Sequence, residues 1–286
     1  VNDRRTGLLS IVIAALLWST GGIGIKGVED AALKVTFYRS LFAAVALLLL
    51  FGRKVWGVRR WKSTPAFLSA IVAYAACLTA FVVATKWTTA ANAIFLQYAG
   101  VIWVLLLSPL VLKEAMRSRD AIAIGVALSG MALFFVGKFE TRGMAGNGMA
   151  LVSSVFFAMM ILALRREHDA AQSAITWGNV FTAAVLFPFV MHDLALTTRS
   201  LITLLLLGIF QIAMAYVFFV RGLKYVTATQ ASLTGMLEPV ANPIWVLLFL
   251  GEQPSGYAIA GGAIVLAAIA WHTMHGEPAT DLPALD

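Results

Sequence analysis

The run FVVATKWTTAANAIFLQYAGVIWVLLLSPLVLKE, residues 81–114, returns without a gap as FVRGLKYVTATQASLTGMLEPVANPIWVLLFLGE, residues 219–252. Phe81, Val82, Lys86, Thr89, Ala90, Ala93 and Glu114 meet Phe219, Val220, Lys224, Thr227, Ala228, Ala231 and Glu252. Alanine and valine recur by chance in so apolar a chain, so the ungapped Lys-to-Glu spacing is the stronger signal. Each copy passes from one apolar segment through a short polar joint into a second segment that stops at an acidic residue. A repeat with a period near half the chain length implies a two-fold architecture, which in membrane proteins usually means a transporter.

Composition places the chain in a membrane. Hydrophobic residues make up 60% and charged residues 12%, with a mean hydropathy of +0.87. A soluble domain is about half apolar and about a quarter charged. Apolar runs at 8–25, 33–51, 65–84, 91–112, 120–137, 147–164, 173–191, 201–220, 228–250 and 256–274 match what a bilayer requires, roughly 20 residues at about 1.5 Å each. They read as helices, because barrel strands would alternate while Val45 through Phe51 is continuously apolar.

The glycine-bearing polar joint near residues 138–147 divides these runs into five and five. The expected fold is therefore an all-α integral membrane protein of ten transmembrane helices in two inverted five-helix repeats. The repeats are read as 1–137 and 147–274, with a linker at 138–146 and a disordered tail at 275–286. Five crossings are odd, so the second half enters from the opposite face, and Lys86 and Lys224 lie on opposite sides.

The net charge of +7 could suggest nucleic acid, but its distribution does not. Assigning loops alternately to two sides gives fourteen Lys and Arg on one side and six on the other. The positive-inside rule puts the richer side, with both termini, in the cytoplasm of a bacterial-type inner membrane. Arg53–Lys62, with Trp56 and Trp61, reads as a contact with lipid headgroups. The first apolar run is too long for a signal-peptide core and is kept as helix one. Lone Cys77 can form no internal disulfide.

Leu237-Glu238-Pro239, Gly251-Glu252, Lys113-Glu114 with Pro109, and Trp18-Ser19 resemble the drug/metabolite transporter superfamily, EamA type. The resemblance runs from about residue 8 to 274. The run at 222–229 looks most like the YddG-type amino-acid exporters. The resemblance implies export of small molecules. The first half departs from the pattern, with Lys113 where the second has Gly251, and Gly100-Val101 opposite Glu238-Pro239.

Glu238 is an ionisable group inside an expected span, where an unpaired carboxylate is costly and marks either a functional site or a braced kink. Pro239 lacks an N–H and leaves the Gly235 carbonyl without its usual donor; Pro243 does the same to the carbonyl of Pro239. A helix so interrupted offers free backbone groups to a substrate. Gly100, Gly235, Pro239 and Pro243 are the expected kink or gate positions.

Trp18, Tyr74, Gln97, Tyr98, Trp103, Trp177, Asn179, Gln211, Met214, Tyr216, Met236 and Asn242 complete the expected substrate lining with Glu238. Amides and phenols within spans need partners and point inward. Such a lining suits a small zwitterion with an apolar tail and suits a phosphorylated sugar poorly. Interhelical packing would explain any one of these residues alone.

Arg39 is expected to pair with Glu29 or Asp30 in preference to contacting substrate. Glu114 and Glu252 should cap a following helix or bond nearby backbone, and Lys86, Lys224 and Arg221 should snorkel. His272 and His275 are not expected to hold a metal, and no cofactor is expected. The overall expectation is a transporter exporting neutral or aromatic amino acids or related metabolites by alternating access. It would meet a small-molecule substrate and membrane lipid but no nucleic acid, and would function as a monomer. The rival is a multidrug exporter of lipophilic cations held by Glu238; a lipid-modifying enzyme would need clustered catalytic groups that the sequence lacks.

Overall fold

The computed structural model describes residues 2–56, 65–133, 136, 143–250 and 255–275. The first half contains α1 (Asn2–Trp18), α2 (Gly21–Lys26), α3 (Ala32–Trp56), α4 (Pro65–Trp87), α5 (Ala90–Tyr98), α6 (Gly100–Val111) and α7 (Ser118–Leu133). The second contains α8 (Met144–Arg166), α9 (Ala171–Val190), α10 (Thr198–Leu206), a π-helical segment (Leu207–Met214), α11 (Ala215–Leu223), α12 (Ala228–Gly235), α13 (Leu237–Leu250) and α14 (Gly256–His275). Among the described residues there is no strand.

Among the described residues, eight stretches are long and apolar enough to cross a membrane: Asp3–Lys26, Ala32–Gly52, Pro65–Trp87, Ala90–Val111, Met144–Arg166, Ala171–Val190, Thr198–Leu223 and Gly256–His275. The remaining runs, 120–137 and 228–250, correspond to α7 and to α12 with α13. Leu49 is 83% exposed and Leu110 79%, which water would penalise and lipid tails accept. Helix α8 begins at Met144, inside the expected linker, because Gly143 adopts a left-handed φ of 86° as its N-cap. Residues 137–142, the 276–286 part of the expected tail, and Glu252 lie outside the described residues.

Helix pairing follows the two-fold relation. Exchanging the halves turns the contact of α4 with α8 into that of α1 with α11, and both are among the most extensive. The contacts of α3 with α9 and of α7 with α14 map onto themselves. Two glycines repeat the same relation at short range. A Cβ on Gly146 would lie 2.7 Å from Thr88 N and the Trp87 carbonyl carbon. One on Gly7 would lie 2.7 Å from Tyr225 Cβ and 3.2 Å from Val226. Trp87-Thr88 and Tyr225-Val226 are equivalent positions of the repeat, so each half rests its first helix on the joint of the other.

The two joints lie at opposite ends of the molecule. Thr89 Oγ1 accepts from Asn92 N at 3.1 Å and Thr227 Oγ1 from Gln230 N at 3.1 Å, the same helix cap in both copies. The first joint neighbours α2 and α8: Lys26 Nζ donates to Thr88 O at 2.6 Å, Lys86 Nζ donates to Val28 O, and Thr88 Oγ1 donates to Asn147 Oδ1 at 2.8 Å. Lys86 is thus bonded rather than merely snorkelling. The second joint sits with Glu114 and the far end of α8. Glu114 Oε1 accepts from Arg165 Nε at 2.8 Å, and Oε2 accepts from Ala228 N at 2.9 Å. Glu114 therefore caps a helix of the opposite half, α12, rather than the next helix in sequence. Burial pushes its carboxyl above the ordinary carboxylate range, while the Arg165 guanidinium pulls the other way.

Helices α7 and α14 pack chiefly on each other. His272 Nε2 lies 2.7 Å from Asp120 Oδ1 and ties them together, a carboxylate that sequence proximity did not suggest. Gly146→Leu should lower the stability of the detergent-purified protein by roughly 1–3 kcal/mol through overpacking. Gly148→Leu, which meets nothing within 4 Å, should leave the melting midpoint nearly unchanged.

Candidate functional site

Four departures from regular α-helix come together between the halves. The first lies between α1 and α2. Ser19 Oγ donates to Leu16 O at 2.6 Å and Thr20 Oγ1 to Leu17 O at 2.8 Å, side-chain bonds that compete with the backbone ladder. Gly21 and Gly22 follow. A Cβ on Gly21 would lie 2.6 Å from Gln211 Nε2, and one on Gly22 would lie 3.7 Å from Asn242 Nδ2. Gly21 thus lets α2 approach the π-helical segment, while Gly22 stands in ordinary contact with α13. Trp245 Nε1 donates to Ser19 Oγ at 2.6 Å and holds α13 against this break.

The second departure is the π-helical segment, with Gln211 within it. A π-turn carries one more residue per hydrogen-bonded loop than an α-turn and is frequent at functional sites. Gly208, near its start, lets the segment approach α3: a Cβ there would lie 2.9 Å from the Arg39 carbonyl oxygen.

The remaining two departures are the mismatched turns of the repeat, and they touch. Helices α12 and α13 break at Met236, where Pro239 withholds an N–H. The Gly235 carbonyl accepts instead from the Tyr98 hydroxyl at 2.6 Å. Tyr98 ends α5 at the corresponding break of the first half, and its hydroxyl also lies 2.9 Å from Glu238 Oε2. One phenolic proton cannot serve both oxygens in full. Gly100 starts α6 where a Cβ would lie 2.6 Å from the Ser154 carbonyl oxygen, which brings α8 close. Gly235 has open space by comparison, with only the Tyr98 hydroxyl 3.7 Å from such a Cβ.

Aromatic rings gather beside these breaks. Trp18 lies 5.0 Å from Tyr216 and 4.9 Å from Phe219, and Tyr216 lies 4.9 Å edge-on from Tyr74. The Tyr74 hydroxyl accepts from Asn179 Nδ2 at 2.8 Å. Gln97 Nε2 donates to Ser153 Oγ at 2.8 Å, beside buried Cys77. Met236 is fully buried, Met214 and Asn242 are half-buried, and Trp177 is half-buried beside the core. Pro239 is buried and Pro243 half-buried on the same helix.

Trp103 does not join this centre. The buried face of α6 is Gly100, Val101, Val104, Leu105 and Ser108, and Trp103 points away from it at 43% exposure. A large amphipathic ring is tolerated against lipid, so its identity alone did not fix its direction. Arg39 is the residue that sequence reasoning misassigned. Asp30 pairs with Lys34 at 2.9 Å, while Arg39 turns inward and donates through Nη2 to Gln211 Oε1 at 2.5 Å. Among the described residues no three of His, Cys, Asp and Glu come together.

The model of the EamA-like transporter family matches residues 5–136 and again 144–274. An uncharacterized transporter of Archaeoglobus fulgidus is 27% identical over 272 residues, 93% of this chain and 97% of the relative. A probable terminal-alkyne amino-acid exporter of Streptantibioticus cattleyicolor is 24% identical, with 91% of each chain covered. A solved crystal structure is similar in fold, with a TM-score of 0.81 at 17% identity, covering 95% of this chain and 98% of the other.

Tyr98→Phe removes the donor to Gly235 while keeping the ring. It should cost roughly 1–3 kcal/mol of stability, because a buried carbonyl and carboxyl both lose their partner. The midpoint of thermal unfolding in detergent checks this, and a midpoint equal to that of the unaltered protein would show that the break is held by other contacts.

Proposed function

The chain belongs to the EamA-like transporter family, and from that premise we propose that it exports neutral or aromatic amino acids, or kindred small metabolites, across a bacterial-type inner membrane by alternating access. The observation that carries this reading is the make-up of the centre. Rings of Trp18, Tyr74 and Tyr216 stand beside the amides of Asn179 and Gln211, with Glu238 on the broken α13. Rings accept an apolar tail, and the polar groups orient a charged head. The name of the Streptantibioticus relative supports the same substrate class.

Inversion of the repeat supports the mechanism. The Lys86 and Lys224 joints sit at opposite ends, so a rocking of one half against the other opens one end as it closes the other. The richer positive charge places the Glu114–Arg165 end and both termini on the cytoplasmic side. A single chain holds the whole centre, which supports function as a monomer. The multidrug reading rests on Glu238, a buried carboxyl that could hold a lipophilic cation.

Counterflow of radiolabelled substrates in liposomes, with and without a pH gradient, separates the two readings. Flux of neutral or aromatic amino acids is expected; flux of lipophilic cations with none of any amino acid would replace this reading by its rival. Glu238→Gln keeps a donor for Tyr98 and should retain the fold while removing any dependence of flux on the pH gradient. A Glu238→Gln protein whose flux still follows that gradient excludes this carboxyl as the coupling group.

A further inference from the structure

Three cationic side chains are buried among the described residues: Lys34, Arg39 and Arg165. Lys34 lies 2.9 Å from Asp30 and 3.1 Å from Asp193, and Arg165 lies 2.8 Å from Glu114. Arg39 is 2% exposed and meets no carboxylate among the described residues. Among them its hydrogen bond goes to the Gln211 amide oxygen, and its Nε has no partner. A guanidinium does not lose its proton in a protein, so burial cannot be relieved by neutralisation. Breaking a buried ion pair by removing one partner is strongly destabilising, and Arg39 already stands in that condition.

The surroundings of Arg39 are those of a site and not of a packing accident. The phenols of Tyr74 and Tyr216 are among its electrostatic neighbours. Its acceptor is presented by the π-helical segment, whose Gly208 is shaped to the α3 backbone. The amide oxygen of Asn179, whose nitrogen donates to the Tyr74 hydroxyl, also has no partner among the described residues. Tyr216 has both Arg39 and Glu238 among its electrostatic neighbours. The centre therefore holds a fixed cation and an acid.

We propose that Arg39 receives the carboxylate of the transported substrate, in the planar two-bond manner that a guanidinium offers to a carboxylate. The proposal deepens the amino-acid reading above and names the group that recognises the acid end. An ester or a decarboxylated amine offers no anion and leaves Arg39 as it is in the empty protein. Gln211 acts as a positioning residue that holds the guanidinium at the π-helical segment until the substrate arrives.

The test uses the purified full-length protein and four probes: phenylalanine, its methyl ester, phenethylamine and 3-phenylpropionate. Phenylalanine and phenylpropionate should raise the unfolding midpoint in a saturable way, while the ester and the amine should bind about tenfold to a hundredfold more weakly. Arg39→Gln should abolish the preference for acid over ester, and Arg39→Lys should keep part of it. If Arg39→Gln does not fold, the comparison of acid with ester on the unaltered protein decides alone. Equal stabilisation by phenylalanine and its ester, persistence of the preference in Arg39→Gln, or no shift with any probe overturns the proposal. Stabilisation by phenylpropionate but not phenylalanine keeps Arg39 as a carboxylate anchor and removes the amino-acid reading. Stabilisation by the amine and ester alone removes both.

Discussion

The bond from the Tyr98 hydroxyl to the carbonyl of Gly235 joins the places where the two copies of the repeat stop being regular helix. Within a bilayer no water is at hand for a freed carbonyl, and each unsatisfied group costs several kcal/mol. Pro239 creates such a carbonyl, and the phenol of the opposite half satisfies it. The break in one half is thus tolerable only while the other half stands beside it. That dependence also fixes the neighbours: Glu238 is brought against the same hydroxyl, and Gly100 lets α8 close over the first-half break.

The described ties across the halves differ between the two ends, although the scaffold beneath them is two-fold. One end carries a buried ion pair, Glu114 with Arg165, strengthened by the cap on Ala228 and by Arg165 Nη1 donating to Leu223 O at 2.8 Å. At the other end, the described ties are Thr88 to Asn147 at 2.8 Å and the ion pair of Lys34 with Asp193 at 3.1 Å, whose carboxylate is exposed. A carrier must break one set of ties to make the other, and salt screens a pair with an exposed carboxylate more than a buried one.

Much of this was legible in the sequence because it is a matter of spacing. The interval from Lys86 to Glu114 and its echo announce two halves, and Glu238-Pro239 announces a break that needs a partner. Tyr98 was legible as a polar group near that break because it occupies the same turn of the first copy. The π-helical segment was not, since Leu207 through Met214 is as apolar and as regular in composition as any α-helical span. Arg39 was misassigned because Glu29 and Asp30 are near it in sequence, whereas Lys34, one turn from Asp30, has the better reach. The two glycines after Ser19-Thr20 carried a signal that could have been used, since a paired glycine inside a span marks a close approach.

The charges at the centre rank ligands by what each would leave behind. A lipophilic cation compensates Glu238 and leaves Arg39 without an anion. A simple carboxylate compensates Arg39 and brings nothing to Glu238. An amino acid carries both charges on one carbon, and its two groups are only about 3 Å apart, a reach set by covalent geometry. Arg39 and Glu238 share Tyr216 as an electrostatic neighbour, so one zwitterion addresses both. The halves that carry these groups are the halves whose relative motion opens the ends: Arg39 lies on α3 of the first, and Glu238 on α13 of the second. A substrate that draws the two together therefore favours the arrangement in which the halves are closest, which is the step a carrier has to pass through between one open end and the other.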